Sequence, residues 1–478
     1  MAHSQLQNVI SQSPITLYLR PVISRCWWAI FVLLASSFLF AQSPSPSDRP
    51  PNFLIILIDD LGAGDLGCYG NPDNKTPNID RLAAEGTRFE LCYATPNCTP
   101  SRVMLLTGQY GFRTGWFSLI GRPYSPRPDS AEFNLGRKFT FAKMLKARGY
   151  ATALAGKWQL PGELPNLIHE CGFDEYRMWA YRHNLPPGAN YTDLSKAKNP
   201  DKTSRYWQPC VVENGKFVPT GPNDYGPDMF NQFTIDFIRR NRDKPFLAYY
   251  PSVLTHRPHV DTPDPADPAK RIPGSLKSNL EYLDYLVGKL MATLDETNLA
   301  QHTVVICLAD NTAGDSKGTL SEAGAHVPLV FRCPGAIKAG LVSKSLTDIS
   351  DILPTLADFS HASVPKDQTF DGKSLGPVLR GETTEHRPWI FSYLGAGRII
   401  RNDRWLLEID KKKKERFFDC DDHRDGRDYK DVTKSTETEA VAAHQRLEKI
   451  LEGLPGPDGH PNLIQPGQKR DPKWVVGD

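Results

Sequence analysis

Residues 52–60 read NFLIILIDD, six consecutive apolar residues closed by two aspartates. A short unbroken apolar run of this kind predicts a strand buried on both faces. Asp59 and Asp60 then fall at its carboxyl end. A second run, TVVICLAD (303–310), ends the same way on Asp310, followed by Asn311. Each acidic pair alone reads as a turn or cap feature. At equivalent topological positions they read better as a site, because open α/β sheets gather ligands at the carboxyl ends of their strands. These hard oxygen donors suit Ca²⁺ ahead of Mg²⁺, and either ahead of zinc.

Outward from these runs the chain alternates helix and strand patterns. TPNIDRLAAEG (76–86) predicts a helix with Asn78 as N-cap and Gly86 as C-cap. TFAKMLKARG (140–149) is a helix pattern running into the strand YATALAG (150–156), and KPFLAYY (244–250) is a further buried strand. Residues 278–297 place Leu280, Leu283, Val287, Leu290, Met291 and Leu294 on one helical face. This alternation predicts an α/β domain over 51–380, with a sheet covered by helices on both faces. Beyond 380 the strands become short and closely spaced, and TETEAVAAHQRLEKILEGL (436–454) supplies a closing helix. Residues 381–478 therefore read as a smaller antiparallel sheet with a helix and a tail.

Composition narrows the function. Arg20 and Arg25 precede the apolar run Trp27–Phe40, which has the length of an export signal and is short for a membrane span. Residues 1–41 are read as a signal peptide and 42–50 as a linker, with an uncleaved N-terminal anchor as the alternative. Without 1–41 the chain carries 55 basic and 55 acidic residues. That balance argues against a nucleic-acid partner, and no stable membrane span is expected. The tetralysine Lys411–Lys414 reads as a solvated turn. Of nine cysteines, none forms a CxxC pair, so a zinc ribbon or thioredoxin-like site is not supported.

CTPSR (98–102), followed by Thr107-Gly108, carries the strongest signal. With NFLIILIDDLGAGDLGCYG (52–70), GYATALAGKWQL (149–160), THRP (255–258), LADN (308–311) and KGTLSEAGAHVPLVF (317–331), it resembles the sulfatases of the alkaline-phosphatase-like fold. DILPTLADF (351–359) and DGKSLGPVLRG (371–381) match later landmarks of that family, and the likeness covers about residues 50–425. The resemblance implies a large, mixed, mostly parallel sheet. It also implies that Cys98 is oxidised by a formylglycine-generating maturation enzyme acting on CTPSR. The resulting aldehyde hydrates to a diol, of which one hydroxyl attacks sulfur and the other expels sulfate. By the same resemblance Asp59, Asp60, Cys98, Asp310 and Asn311 hold calcium, and Arg102 steadies the diol. Lys157 grips sulfate oxygens, while His256 and Lys317 serve the leaving group. His259 is a rival to His256.

One residue departs from the family pattern. Gln159 stands where a histidine often lies two residues after the lysine, and a glutamine cannot take a proton. It is retained as a substrate-binding candidate. The base of the elimination step is left open among His169, His183, His259, His326, Asp315 and a metal-bound hydroxide. The expected function is hydrolysis of a sulfated carbohydrate or aryl sulfate by an exported, periplasmic or secreted enzyme. Two alternatives keep the fold: a phosphodiester or phosphonate monoester hydrolase, and a silent protein that binds sulfated glycans. Trp158, Tyr181, Arg182, Trp207, Arg257 and His259 are candidate sugar contacts. Of the N-glycosylation sequons at Asn97 and Asn190, the first overlaps Cys98 and is discounted.

Overall fold

In the computed structural model, residues 49–127, 130–160, 166–180, 204–426 and 428–468 are described. The predicted signal, most of the linker, Tyr181, Arg182, His183 and the Asn190 sequon lie outside them. Within Pro50–Asp478, NFLIILI forms β1 (Asn52–Ile58), every residue of which is buried. Next come α1 (Pro77–Ala84), β2 (Thr87–Phe89), α2 (Cys98–Thr107), α3 (Phe141–Ala147), β3 (Ala151–Lys157) and β4 (Glu175–Trp179). The hairpin β5 (Val211–Glu213) and β6 (Lys216–Val218) precedes α4 (Gly226–Arg240), β7 (Phe246–Pro251), α5 (Leu276–Glu296) and β8 (Thr303–Ala309). The first sheet is completed by β9 (Leu329–Arg332) and β10 (Leu341–Ser343), and α6 (Ile352–Ser360) follows.

These ten strands form one sheet in the order β10-β2-β9-β8-β1-β7-β3-β4-β5-β6. Its centre is parallel: β1 pairs with β8 and β7, and β3 pairs with β7 and β4. One helix group, α1, α4 and α5, packs together and against the sheet; the other joins α2, α3 and α6. The predicted apolar face of α5 is buried at all six positions. Truncating one such side chain, as in Leu283→Ala, costs about 2–5 kcal/mol.

The cap assignment of α1 differs from the sequence pattern. The helix starts at Pro77 with Thr76 as N-cap and Glu85 as C-cap, and the Thr76 side chain makes no capping bond. Asp284 of α5 instead accepts from the backbone N–H groups of Asn78 at 3.1 Å and Ile79 at 2.8 Å. The free donors of the first turn are met across the fold, by a residue 206 positions away from Asn78.

The C-terminal region forms a second, antiparallel sheet of β11 (Ile390–Leu394), β12 (Gly397–Arg401), β13 (Trp405–Ile409), β14 (Glu415–Asp419) and β15 (Lys430–Asp431). Helix α7 (Thr438–Glu452) closes it, and Lys411–Lys414 is an exposed turn between β13 and β14. A buried charge network joins this sheet to the first part of the chain. The Glu322 carboxylate accepts from Tyr93 Oη, Tyr429 Oη and Arg401 Nη1, each at 2.5 Å. Its backbone N–H donates to Glu408 Oε1 at 2.7 Å. Eight cysteines lie among the described residues and all are free thiols. Among those residues, no helix is long and apolar enough to cross a membrane.

Candidate active site

Sheet register assembles the site. Ile58 pairs with Ala309, so Asp59 and Asp310 leave adjacent strands side by side. The loop after β7 is tied to the same edge, with Asp59 N–H donating to Leu254 O at 3.0 Å and Thr255 N–H donating to Asp59 O at 2.7 Å. That tether delivers His256. Lys157 is the last residue of β3 and lies opposite Trp179 of β4. Asp60 takes a left-handed φ of 64° as the chain turns out of β1.

CTPSR forms the first half of α2, a helix buried along its whole length. Cys98 is its first residue, with Sγ 3.8 Å from Asp59 Oδ1 and 3.8 Å from Asp60 Oδ1. Ser101 Oγ accepts from Thr95 N–H at 3.0 Å and fixes the approach to the helix. Arg102, one turn on, donates from Nε at 2.9 Å and Nη2 at 2.7 Å to Asp310 Oδ2, and from Nη1 to the Lys157 carbonyl at 2.7 Å. Gly108 ends the helix with a φ of 66°, a conformation that glycine adopts at little cost.

Charges alternate closely around Cys98. Lys157 Nζ donates to Asp59 Oδ1 at 2.5 Å and lies 3.5 Å from Cys98 Sγ. Lys317 Nζ donates to Asp60 Oδ2 at 2.8 Å and lies 3.1 Å from His256 Nε2. His256 Nδ1 is 2.5 Å from the Arg257 carbonyl. A carbonyl only accepts, so the proton sits on Nδ1 and Nε2 is left to accept from Lys317. Burial and Arg205 push the His256 imidazole well below its ordinary range, in keeping with a neutral ring.

Burial raises the Asp59 and Asp310 carboxyls, but neighbouring positive charge outweighs it and holds both below their ordinary values. Lys157 is the foremost of these charges at Asp59, and Arg102 at Asp310. Asp60 goes the other way, raised by burial and by Asp59 beside it. Burial and Asp310 push the Cys98 thiol up to about 12. A thiol held there stays protonated at neutral pH and is a poor nucleophile.

The structure thus brings together Asp59, Asp60, Cys98, Arg102, Lys157, His256, Asp310, Asn311 and Lys317. Gln159 follows two residues after Lys157, buried, with a φ of 50°. Its Oε1 has no hydrogen-bond partner among the described residues. Of the other base candidates, His169 bonds the Phe173 carbonyl at 2.9 Å, His326 bonds the Glu90 carbonyl at 2.9 Å, and Asp315 is exposed. His259 lines a cavity of about 210 Å³ with Asp60, Thr255 and Arg257. Trp158 is buried against Phe173, and Trp207 stacks under Arg271 at 3.8 Å. Sequence reasoning missed Arg205, whose Nη1 lies 3.6 Å from Asp59 Oδ2. It follows a stretch with no motif to mark it.

The donor set fits a hard cation. Donor atoms of Asp59, Asp60, Cys98 and His256 all lie within 4.8 Å of one another and are buried. Asp59 Oδ2 and Asn311 Oδ1 are buried oxygens with no hydrogen-bond partner among the described residues. Unsatisfied oxygens in such a place have a natural partner in a metal ion.

The family model for Sulfatase matches residues 51–362. The chain belongs to the sulfatase family. Human arylsulfatase A is 36% identical over 369 residues, covering 72% of this chain and 71% of that protein. Mouse steryl-sulfatase is 30% identical over 461 residues, covering 79% and 73%. Among solved structures, Ps i-CgsB in complex with k-i-k-neocarrahexaose aligns with a TM-score of 0.68 at 24% identity, over 86% of this chain and 94% of the other. As a sulfatase the chain is a sulfuric ester hydrolase, and its large mixed sheet with a smaller antiparallel C-terminal sheet is the fold of its structural neighbours.

Proposed function

We propose that this sulfatase hydrolyses a sulfated carbohydrate, with an aryl sulfate as a serviceable surrogate, through a formylglycine made from Cys98 and held on calcium. One observation carries the reading. A buried cysteine at the start of the CTPSR helix stands 3.8 Å from a carboxylate oxygen of both Asp59 and Asp60, and 3.5 Å from Lys157 Nζ. The CTPSR motif around it supports that cysteine as the precursor of an oxygen nucleophile.

Asp59, Asp60, Asp310 and Asn311 would hold the cation, which supplies Lewis-acid polarisation of the attacking oxygen and of the sulfate. Lys157 orients sulfate oxygens from the end of β3. Arg102 acts from behind, fixing the Asp310 carboxylate and the backbone of Lys157 together. Lys317 and His256 face the leaving group. The ammonium holds the proton and the neutral imidazole, aimed by the Arg257 carbonyl, keeps it oriented. Arg257 and His259 line the neighbouring cavity, which supports them as contacts for hydroxyl groups of the leaving sugar. Export to the periplasm or the medium rests on the apolar run Trp27–Phe40.

The test is the mass of the tryptic peptide Phe89–Arg102 from protein made alongside a maturation enzyme. Conversion to the aldehyde lowers it by about 18 Da, and an unconverted peptide where a control sulfatase is converted would sink the nucleophile. A parallel assay on nitrophenyl sulfate and a nitrophenyl phosphonate separates sulfate ester hydrolysis from the phosphonate alternative.

A further inference from the structure

A cavity of about 690 Å³ lies at the edge of the large sheet, between the residues that follow β10 and the C-terminal region, where Asp403 and Arg424 line it. Strand directions set its place. β10 runs parallel to β2, β2 antiparallel to β9, β9 antiparallel to β8, and β8 parallel to β1. The two reversals cancel, so β10 runs with β1. Lys344 therefore leaves the carboxyl end of β10 on the same edge of the sheet as Asp59. Four strand spacings of about 4.8 Å separate β10 from β1, roughly 19 Å across. A polymer can reach from one place to the other, and a single sugar residue cannot.

The cavity wall is polar and holds unmatched groups. His386, with 4% of its side chain exposed, donates from Nε2 to Asp351 Oδ2 at 3.1 Å. Its Nδ1 has no hydrogen-bond partner among the described residues. Arg424, with 9% exposed, donates from Nη1 to the Asp403 carbonyl at 2.7 Å and from Nη2 to Asp403 Oδ1 at 3.3 Å. Its Nε has no partner among those residues. Lys344 Nζ approaches Asp422 Oδ2 only to 3.6 Å, beyond hydrogen-bond range. Arg387 also lines the wall but turns its guanidinium to Asp348 and Asp351, so it adds no free cation. Of the acids in the lining, Asp403 is engaged by Arg424, and Glu385 is exposed. On the sheet side, Leu341 N–H donates to Gly86 O at 3.2 Å and Glu90 N–H donates to Ser343 O at 2.9 Å. The alternation leaves the Val342 N–H and carbonyl on the open side of this edge strand.

We propose that this groove is a second glycan-binding site, holding a sulfated residue of the polymeric substrate away from the ester being cleaved. The inference rests on the sulfated-carbohydrate reading above. Lys344 supplies a charge-assisted donor for sulfate oxygens, and Arg424 adds positive charge at the wall. His386 Nδ1 and the Val342 peptide groups meet hydroxyls of the sugar. A peptide strand is opposed at the same edge. β10 is three residues long and a lysine follows it, two features that discourage strand addition.

The test is calorimetric binding of dextran sulfate and of unsulfated dextran to the full chain carrying Cys98→Ala, so that no ester is cleaved. Lys344→Glu reverses the charge at the groove. Lys412→Glu makes the same change on the exposed turn between β13 and β14 and controls for general attraction to a polyanion. Lys344→Glu should weaken dextran sulfate binding at least about tenfold, while Lys412→Glu stays near the parent affinity and unsulfated dextran binds far more weakly. With Cys98 restored and matured, Lys344→Glu should keep the wild-type melting temperature and kcat/KM on nitrophenyl sulfate. No binding of dextran sulfate, no loss in Lys344→Glu, or an equal loss in Lys412→Glu would overturn the proposal. Unsulfated dextran bound as tightly as the sulfated polymer would overturn it too. If the wild type releases no sulfate from nitrophenyl sulfate, the hydrolase reading fails, and the calorimetry still decides whether the groove binds a sulfated glycan.

Discussion

Arg102 places two nitrogens on a single oxygen of Asp310, Nε at 2.9 Å and Nη2 at 2.7 Å, with both side chains buried. The pair joins helix α2 to the carboxyl end of β8, and so joins the Cys98 segment to the candidate metal ligands. Removing one member of a buried pair strands the other charge, at a cost of about 3–5 kcal/mol. Arg102→Met should therefore lower thermal stability by that order in calorimetry, besides abolishing turnover. A variant that melts like wild type would show that the pair carries no such coupling.

Lys317 is more exposed than its neighbours, at 24% of its side chain, so Lys317→Ala should leave the melting temperature nearly unchanged. Loss of a proton donor to the leaving group costs about 10²–10⁴ in rate. The loss should be large on a sulfated sugar and much smaller on nitrophenyl sulfate, whose leaving group needs no proton. Equal losses on the two substrates would place Lys317 on the sulfate and not on the leaving oxygen.

Chelation should remove activity and stability together, because a cation that binds only the folded state stabilises it by mass action. At a thousandfold excess over Kd the gain is about 4 kcal/mol. Calcium should restore the melting temperature of the chelated protein more fully than magnesium at equal concentration. A melting curve indifferent to chelator and to both ions would remove the metal from the proposal.

Asp284 gives a pH signature remote from the site. Burial pushes its carboxyl up to about 6 from 3.8, so between those values the folded state binds more protons than the unfolded. Its contribution is greatest below pH 3.8 and is lost as pH rises through about 6, by at most about 3 kcal/mol. Denaturation of wild type and Asp284→Asn at pH 4 and pH 7 checks this. The wild type should gain relative to the variant on acidification, and a pH-independent difference would refute the shift.

The central strands were legible in the sequence because burial on both faces leaves continuous apolar runs, as in β1 and β8, and the acids that end those runs mark where the site must lie. The basic positions Lys157 and Lys317 were legible only through the family motifs. The cap of α1 was not, because the group that supplies it is Asp284, two hundred residues on in a different helix. The short strands β2, β9 and β10 are three or four residues long and carry no periodic signal. Arg205 was illegible for a physical reason of its own. What selects it is the face of Trp179 and the close approach of Gly226, both contacts made only after folding.

The Glu322 network sets a clock on synthesis. Glu322 and Arg401 are separated by 79 residues, and at about 5–20 residues per second a ribosome needs roughly 4–16 s to supply the second after the first. Through that interval the nascent chain already contains Cys98, Lys157, His256 and Lys317. The carboxylate five residues beyond Lys317 still lacks its arginine and Tyr429. The bonds from Glu322 to Arg401 and Tyr429 form only when β12 and the residues after it have arrived, so a chain released early carries the candidate site residues and still lacks this tie between the two parts of the chain.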